Sequence, residues 1–330
     1  MGKSRKEWID SLKLEGFDEF YNELLNSNHG EFDKAWQESY DREKKKKRIS
    51  WTLYLIIDTI LIIMLLNLFS SNLIRLNSRD SLIVGIFTIV FANFAIFAGV
   101  TLKYSDGRND YQKLYKEAIV KKVINKFYSD LIYLLEAKML GGEYRYLNYE
   151  NYDDYHSHDY FEGKVDGKYN VKMAEVSTIR DTTNAEGRDT IEIIFHGLFA
   201  KIELPKTIPH KIKIIPNRES TLKDSVTMDS VSFEKVFDVI SADKILATQL
   251  LTADCMVKLT DIANKLPDYF DIYIKNNELY IRLHCGIVFD CVSLKNKGMD
   301  EEIIKKYYYV MDTMYNISKI ILDIVENTPI

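Results

Sequence analysis

Two apolar runs, Ile49–Phe69 and Leu82–Leu102, constrain this chain more than any other feature. At ~1.5 Å of rise per helical residue, each is long enough to cover a hydrocarbon layer roughly 30 Å thick. Lys44, Lys45, Lys46, Lys47 and Arg48 stand directly before the first run, and Lys103, Arg108, Lys113 and Lys116 follow the second. The connection Ser70–Ser81 carries only Arg75 and Arg79. Because Lys/Arg excess marks the cytoplasmic side, the pattern predicts a two-span integral membrane hairpin with both termini cytoplasmic. Lys44–Arg48, Trp51, Lys103 and Tyr104 are its expected interfacial anchors, and the lipid bilayer its expected partner. Between the runs' apolar residues stand Asp58, Asn67 and Asn93. An intramembrane carboxylate marks an ion path or bonds locally, to Thr59 or across to Asn93. Ala95 and Gly99 have the small-xxx-small spacing that lets helices approach.

The rest of the 330 residues suffices for a core of its own, with about two domains as the prior. A net charge of −5 argues against a nucleic-acid binder, which needs a basic face. Cys255, Cys285 and Cys291 are too few for a disulfide scaffold and fit a reducing compartment. The charged start Met1–Lys6 is neither a secretory signal nor, with Lys at position 6, a myristoylation site.

Periodicity divides what remains. Residues 1–48 read as two amphipathic cytosolic helices broken at Ser27-Asn28-His29-Gly30, suited to partner binding or to packing in a small bundle. After Leu102 the pattern predicts a cytosolic α+β domain over 103–330 with a mostly antiparallel sheet and flanking helices. Residues 111–139 read as a helix ended by Gly141-Gly142. Asp159–Val165, Lys168–Val176, Thr190–Phe195, Leu198–Leu204 and Lys211–Ile215 read as short strands. Asp166-Gly167 and Asn276-Asn277 are hairpin signals. Arg218–Thr227 reads as a linker, Thr252 caps a helix to about Leu266, and a last helix spans about Asp300 to Glu326.

Four segments carry a resemblance. They are Tyr111–Lys116; Asp159–Val165 with Ala174-Glu175-Val176; Ile194-Phe195-His196-Gly197-Leu198-Phe199; and Ser232–Val239 followed by Asp243 and Leu250-Leu251-Thr252. In their order, from about Asp110 to Cys291, the chain resembles an uncharacterised bacterial membrane-protein family, the domain of unknown function 3137. The resemblance implies two preceding spans and a cytosolic domain, and it supplies no catalytic residues.

Metal-like chemistry is best represented by His156, His158 and Asp159, with Asp153-Asp154 upstream; the same pattern suits a solvated polar turn. His284-Cys285 with Cys291 forms either a soft site or buried thiols. Glu162, Asp166 and Glu175 offer an acid/base pair or simply solvent-facing strand carboxylates. The tyrosines Tyr144–Tyr160 and Tyr307–Tyr309 suit an interface or an aromatic core. Neither a phosphate-binding loop nor a nucleophile elbow is present, and no cofactor is indicated. The expected function is therefore a membrane-anchored binding or assembly module with a protein partner or a second copy of itself. A membrane-surface enzyme or metal-binding protein using His156, His158 and Asp159 is the alternative, and a transport accessory subunit in which Asp58 matters is the second alternative.

Overall fold

The computed structural model describes residues 9, 12, 14–70, 91, 94, 95, 98, 99, 106–135, 137–145, 147, 151–184, 186–217, 224–289 and 300–329. The chain forms two compact units. One comprises residues 1–26, 116–291 and 299–330; the other comprises 27–115 and 292–298.

The smaller unit is dominated by helix α1, Phe17–Ser70, whose first turns belong to the larger unit. The expected break at Ser27–Gly30 does not occur; the helix runs straight through it. Ion pairs one turn apart, Glu38–Arg42 and Glu43–Lys47, support its polar middle. Phe32 packs against Tyr111 and Tyr115 of helix α2, Asp106–Tyr115, with ring centroids 5.8 and 5.9 Å apart. The first apolar run is therefore the end of one continuous 54-residue helix that carries Lys44–Arg48 in its interior and Asp58 within the run. Among the described residues no helix is long and apolar enough to cross a membrane. That finding overturns the transmembrane hairpin, the integral-membrane placement and the membrane topology of the termini. Most of Leu82–Leu102, together with Asn93, Lys103 and Tyr104, lies outside the described residues.

The larger unit is an antiparallel sheet with helices against it, as the α+β pattern implied. A π-helical turn, Lys116–Val120, leads into α3, Lys121–Phe127. Strand β1, Ser129–Leu134, follows immediately, where the sequence suggested continued helix. Leu131 and Leu134 keep a helical spacing, but Asp130 at φ 51° redirects the backbone. A short helix α4, Gly141–Arg145, precedes β2, Asp154–Val165, β3, Tyr169–Thr183, and β4, Asp189–Pro216. Then come β5, Ser225–Val226, α5, Val231–Glu234, β6, Phe237–Ser241, α6, Lys244–Leu250, α7, Ala253–Lys265, β7, Phe270–Leu283, and α8, Glu301–Asn327. The strand order is β1-β2-β3-β4-β6-β5, with β7 paired to β4.

Asp166 and Gly167, both at positive φ, make the expected tight turn between β2 and β3. Asn276-Asn277 does not reverse the chain. Asn276, at φ 56°, bends β7, which continues along β4 from Leu283 opposite Leu198 to Ile272 opposite Ile214. The matching irregularities in β4 fall between Glu203 and Ile208 and between Ile208 and Ile212, around Pro205 and Pro209. Proline has no amide to donate, so it is tolerated where the ladder is interrupted.

One cluster of the core gathers Tyr144, Tyr160, Phe195, Phe199, Tyr273 and Tyr280 against Met139 and Val176. The tyrosine-rich segment thus supplies core; Tyr307, Tyr308 and Tyr309 are buried as well. Helix α8 is capped by Asp300, whose side chain accepts from Glu302 N, and it buries a stripe from Ile304 through Val325. At its other end Lys206 donates to the carbonyls of Glu326 and Thr328, satisfying acceptors that the helix leaves open. Thr252 caps α7 as expected, its hydroxyl accepting from Cys255 N.

Gly197 marks the tightest point of the sheet. A Cβ there would lie 1.9 Å from the Leu283 carbonyl oxygen and 2.9 Å from Cys285 N, so β7 leaves β4 over a residue that has no side chain.

Candidate functional site

Among the described residues, two clusters of buried charge lie in the larger unit. The first begins with a bulge. His158 pairs with Glu175, and the next paired residue is Phe161, opposite Met173, so Asp159 and Tyr160 together face Ala174. Such a bulge re-aims side chains. Asp159 takes φ 52°, a conformation Asp tolerates better than most residues, and it is driven inward until only 1 % of its surface stays exposed. There Lys116 Nζ donates to both carboxylate oxygens at 2.6 Å, and the Tyr133 hydroxyl donates to Oδ1 at 2.5 Å. Burial, and then the Asp159 charge, push the Tyr133 hydroxyl far above its ordinary pKa.

Glu175 completes this cluster. It is 2 % exposed, and its Oε1 accepts from the backbone amides of Val288 and Phe289. Its Oε2 is buried and accepts from no backbone amide; what it meets is the His158 ring, whose Nδ1 lies 3.3 Å away. The Glu175 carboxylate raises the pKa of the His158 imidazole against the opposing effect of partial burial. His158 itself is 44 % exposed, so the cluster opens to solvent through its ring. Among the described residues His158, Asp159 and Glu175 form a group able to hold a metal ion, with one ligand atom from each within 4.8 Å of the others.

Of the sequence candidates, then, His158 and Asp159 converge and His156 does not. His156 Nε2 pairs at 3.0 Å with Asp154 on the exposed start of β2. Glu175 is no solvent-facing strand carboxylate, since the register that sets it opposite His158 also buries it. Glu162 and Asp166 lie elsewhere: Glu162 accepts from the Tyr160 hydroxyl, and Asp166 accepts from Tyr315 and pairs with Lys319.

The second cluster is closed. Arg282 Nε donates to both oxygens of Asp271 at 2.9 and 3.0 Å, and its other arms reach Asp271 Oδ2 at 2.9 Å and the Tyr144 hydroxyl at 3.1 Å. His284 Nε2 lies 3.3 Å from Asp271 Oδ2, and its ring stacks on Tyr269 at 3.9 Å and meets Phe195 edge-on at 4.8 Å. Burial by itself would raise Asp271, but the Arg282 guanidinium and His284 outweigh it and hold the carboxyl below its ordinary pKa. Sequence reading passed over Asp271 and Arg282 because they are eleven residues apart on one strand. Only the bend at Asn276 and the pairing with β4 show that both are interior.

Cys255 and Cys285 are buried thiols, and burial pushes each up to about 12, far from a nucleophile at neutral pH. Cys291 lies outside the described residues. An open groove of about 890 Å³ runs between α7 and α8 in the larger unit, with Ile262, Ile320 and Ile324 along it and Asp254, Lys258 and Asp323 at its sides.

A different surface stands out on β3 and β4. Their paired ends, Ile179–Thr183 and Asp189–Ile193, form an arm set off from the sheet by an irregularity beside Ile194. Ile191 and Ile193 are 66 % and 62 % exposed on one face of it. Strand β7 joins β4 only from Leu198 onward, and among the described residues no strand pairs with the outer side of Asp189–Phe195.

No curated protein matches the chain. A solved structure, the mycobacterial trehalose monomycolate transport factor A, is similar at 10 % identity and a TM-score of 0.31, covering 62 % of this chain and 93 % of that one. A superposition at that level does not establish a shared fold. The sequence profile of the family described as protein of unknown function DUF3137 matches residues 193–322. The match therefore begins inside β4 and ends inside α8. It includes Ile194–Phe199 and Ser232–Val239 but not Tyr111–Lys116 or Asp159–Val176, and it extends beyond Cys291. Over that stretch the chain resembles the DUF3137 family.

Proposed function

We propose that the chain is a binding module that takes an extended segment of a protein partner onto the outer edge of the β3–β4 arm. The observation that carries this reading is the unpaired edge of Asp189–Phe195 with Ile191 and Ile193 exposed beside it. A strand edge presents a row of backbone donors and acceptors, which an added strand satisfies while alternate side chains give specificity. The arm also selects for charge. Asp181, Glu186, Asp189 and Glu192 outnumber Arg180 and Arg188, so a segment alternating apolar and basic residues complements it.

Hydrogen exchange on the full chain tests this, with a short peptide alternating Lys and Ile as the probe. The expected result is new protection of the amides of Asp189–Ile194, abolished by Ile191→Lys together with Ile193→Lys. Unchanged exchange on adding the peptide, or equal protection in the double variant, overturns the reading.

A further inference from the structure

We propose that His158, Asp159 and Glu175 bind a divalent transition-metal cation, with Zn²⁺ the best-suited ion. The site is independent of the strand-edge reading.

Three observations converge on it. The donors are one imidazole nitrogen and two carboxylate oxygens, a set that suits Zn²⁺ and leaves a fourth position for water. Their spacing is close to what the ion needs. Zn–N and Zn–O bonds of ~2.0–2.2 Å put tetrahedral ligands roughly 3.3–3.6 Å apart. His158 Nδ1 already lies 3.3 Å from Glu175 Oε2 and 3.9 Å from Asp159 Oδ2. Most telling is Glu175 Oε2, an oxygen on a side chain 98 % removed from solvent that meets no donor other than the His158 ring. Leaving such an acceptor unfilled is costly, and it lies within 4.8 Å of the other two donor atoms. The half-exposed His158 ring gives the ion a way in.

Lys116 sets the affinity. Its ammonium holds both Asp159 oxygens at 2.6 Å, so it competes with the cation for that carboxylate. It is itself 17 % exposed, which leaves it a path outward when the ion arrives. Removing a competitor should tighten binding, whereas removing a purely structural partner would not create affinity.

Calorimetric titration of Zn²⁺ into the full chain, freed of metal by chelator, tests the proposal. One equivalent should bind; His158→Ala should weaken it by more than ~10-fold, since loss of even an outer-shell group costs that much. Lys116→Met should strengthen binding, His156→Ala should leave it unchanged, and Mg²⁺, which prefers all-oxygen sites, should not compete. Absence of stoichiometric binding, equal binding in His158→Ala, or loss on His156→Ala overturns it. His158 and His156 are surface-accessible, so those two variants decide the matter even if Lys116→Met fails to fold.

Discussion

The two buried charge clusters of the larger unit differ in one respect, and it separates fold from chemistry. Around Asp271 both carboxylate oxygens are bonded by Arg282, and Tyr144 and His284 complete the ring of partners. Around Asp159 the charge is likewise matched, by Lys116 and Tyr133, but one oxygen of the neighbouring Glu175 meets only a half-exposed histidine. A burial profile alone would class both as interior ion pairs. The difference lies in the last lone pair, and each cluster should therefore fail in its own way.

The sharpest way to break the comparison is Arg282→Met. It strands the Asp271 carboxylate in the interior, and such losses cost about 3–5 kcal/mol; denaturant unfolding would show this as a large fall in midpoint. Gly197→Ala comes next, at about 3 kcal/mol, because the new methyl group collides with the Leu283 carbonyl just where β7 carries Arg282 toward its end; the same unfolding assay measures it. Acid gives a smaller, graded effect. The folded Asp271 carboxyl lies below its ordinary 3.8, so its contribution is fully present above that pH and is lost as pH falls through the folded value. Thermal unfolding followed between pH 5 and pH 2 should show the loss in the parent and not in Asp271→Asn, with those limits roughly bracketing the carboxylate range. His158→Ala should have the smallest effect on stability, within about 0.5 kcal/mol, as for other partly exposed side chains; a loss several times larger would place His158 in the closed class.

How much of this was legible in the sequence depends on the range of the interactions. Caps and turns are local, and Thr252, Asp300 and Asp166-Gly167 do what their residue types and spacing imply. The long stripe of α8 is equally plain, since burial at three- and four-residue intervals is written in its order of residues. Strand β1 was concealed because Leu131 and Leu134 mimic helical periodicity. The sequence of β4 reads as three separate strands, Thr190–Phe195, Leu198–Leu204 and Lys211–Ile215, and its Pro205 and Pro209 resemble breaks yet sit where the ladder is already interrupted. The apolar run Ile49–Phe69 misled for a related reason: its composition does not reveal that it ends a helix begun at Phe17. The metal candidate was half visible. His158 and Asp159 stand together in the chain, but their third member is set by strand register, and Glu175 became readable only once β3 lay alongside β2. His156 satisfied the same spacing and was drawn to Asp154 instead.

The extra residue in β2 has a consequence for how this region tolerates change. Because the bulge turns His158 outward and Asp159 inward within a single step, deleting Asp159 or Tyr160 would do more than shorten a strand. It would restore even pairing with Phe161 still opposite Met173, so the later side chains of β2 would keep their faces while the turn that aims Asp159 at Lys116 was lost. Loss of the extra residue thus separates the two: the ligand set goes and the core pairing from Phe161 to Val165 stays. Substitutions at His158 and loss of the extra residue both act on the site while leaving the sheet alone, so the ligand set can change or disappear without disturbing the strand pairing beneath it.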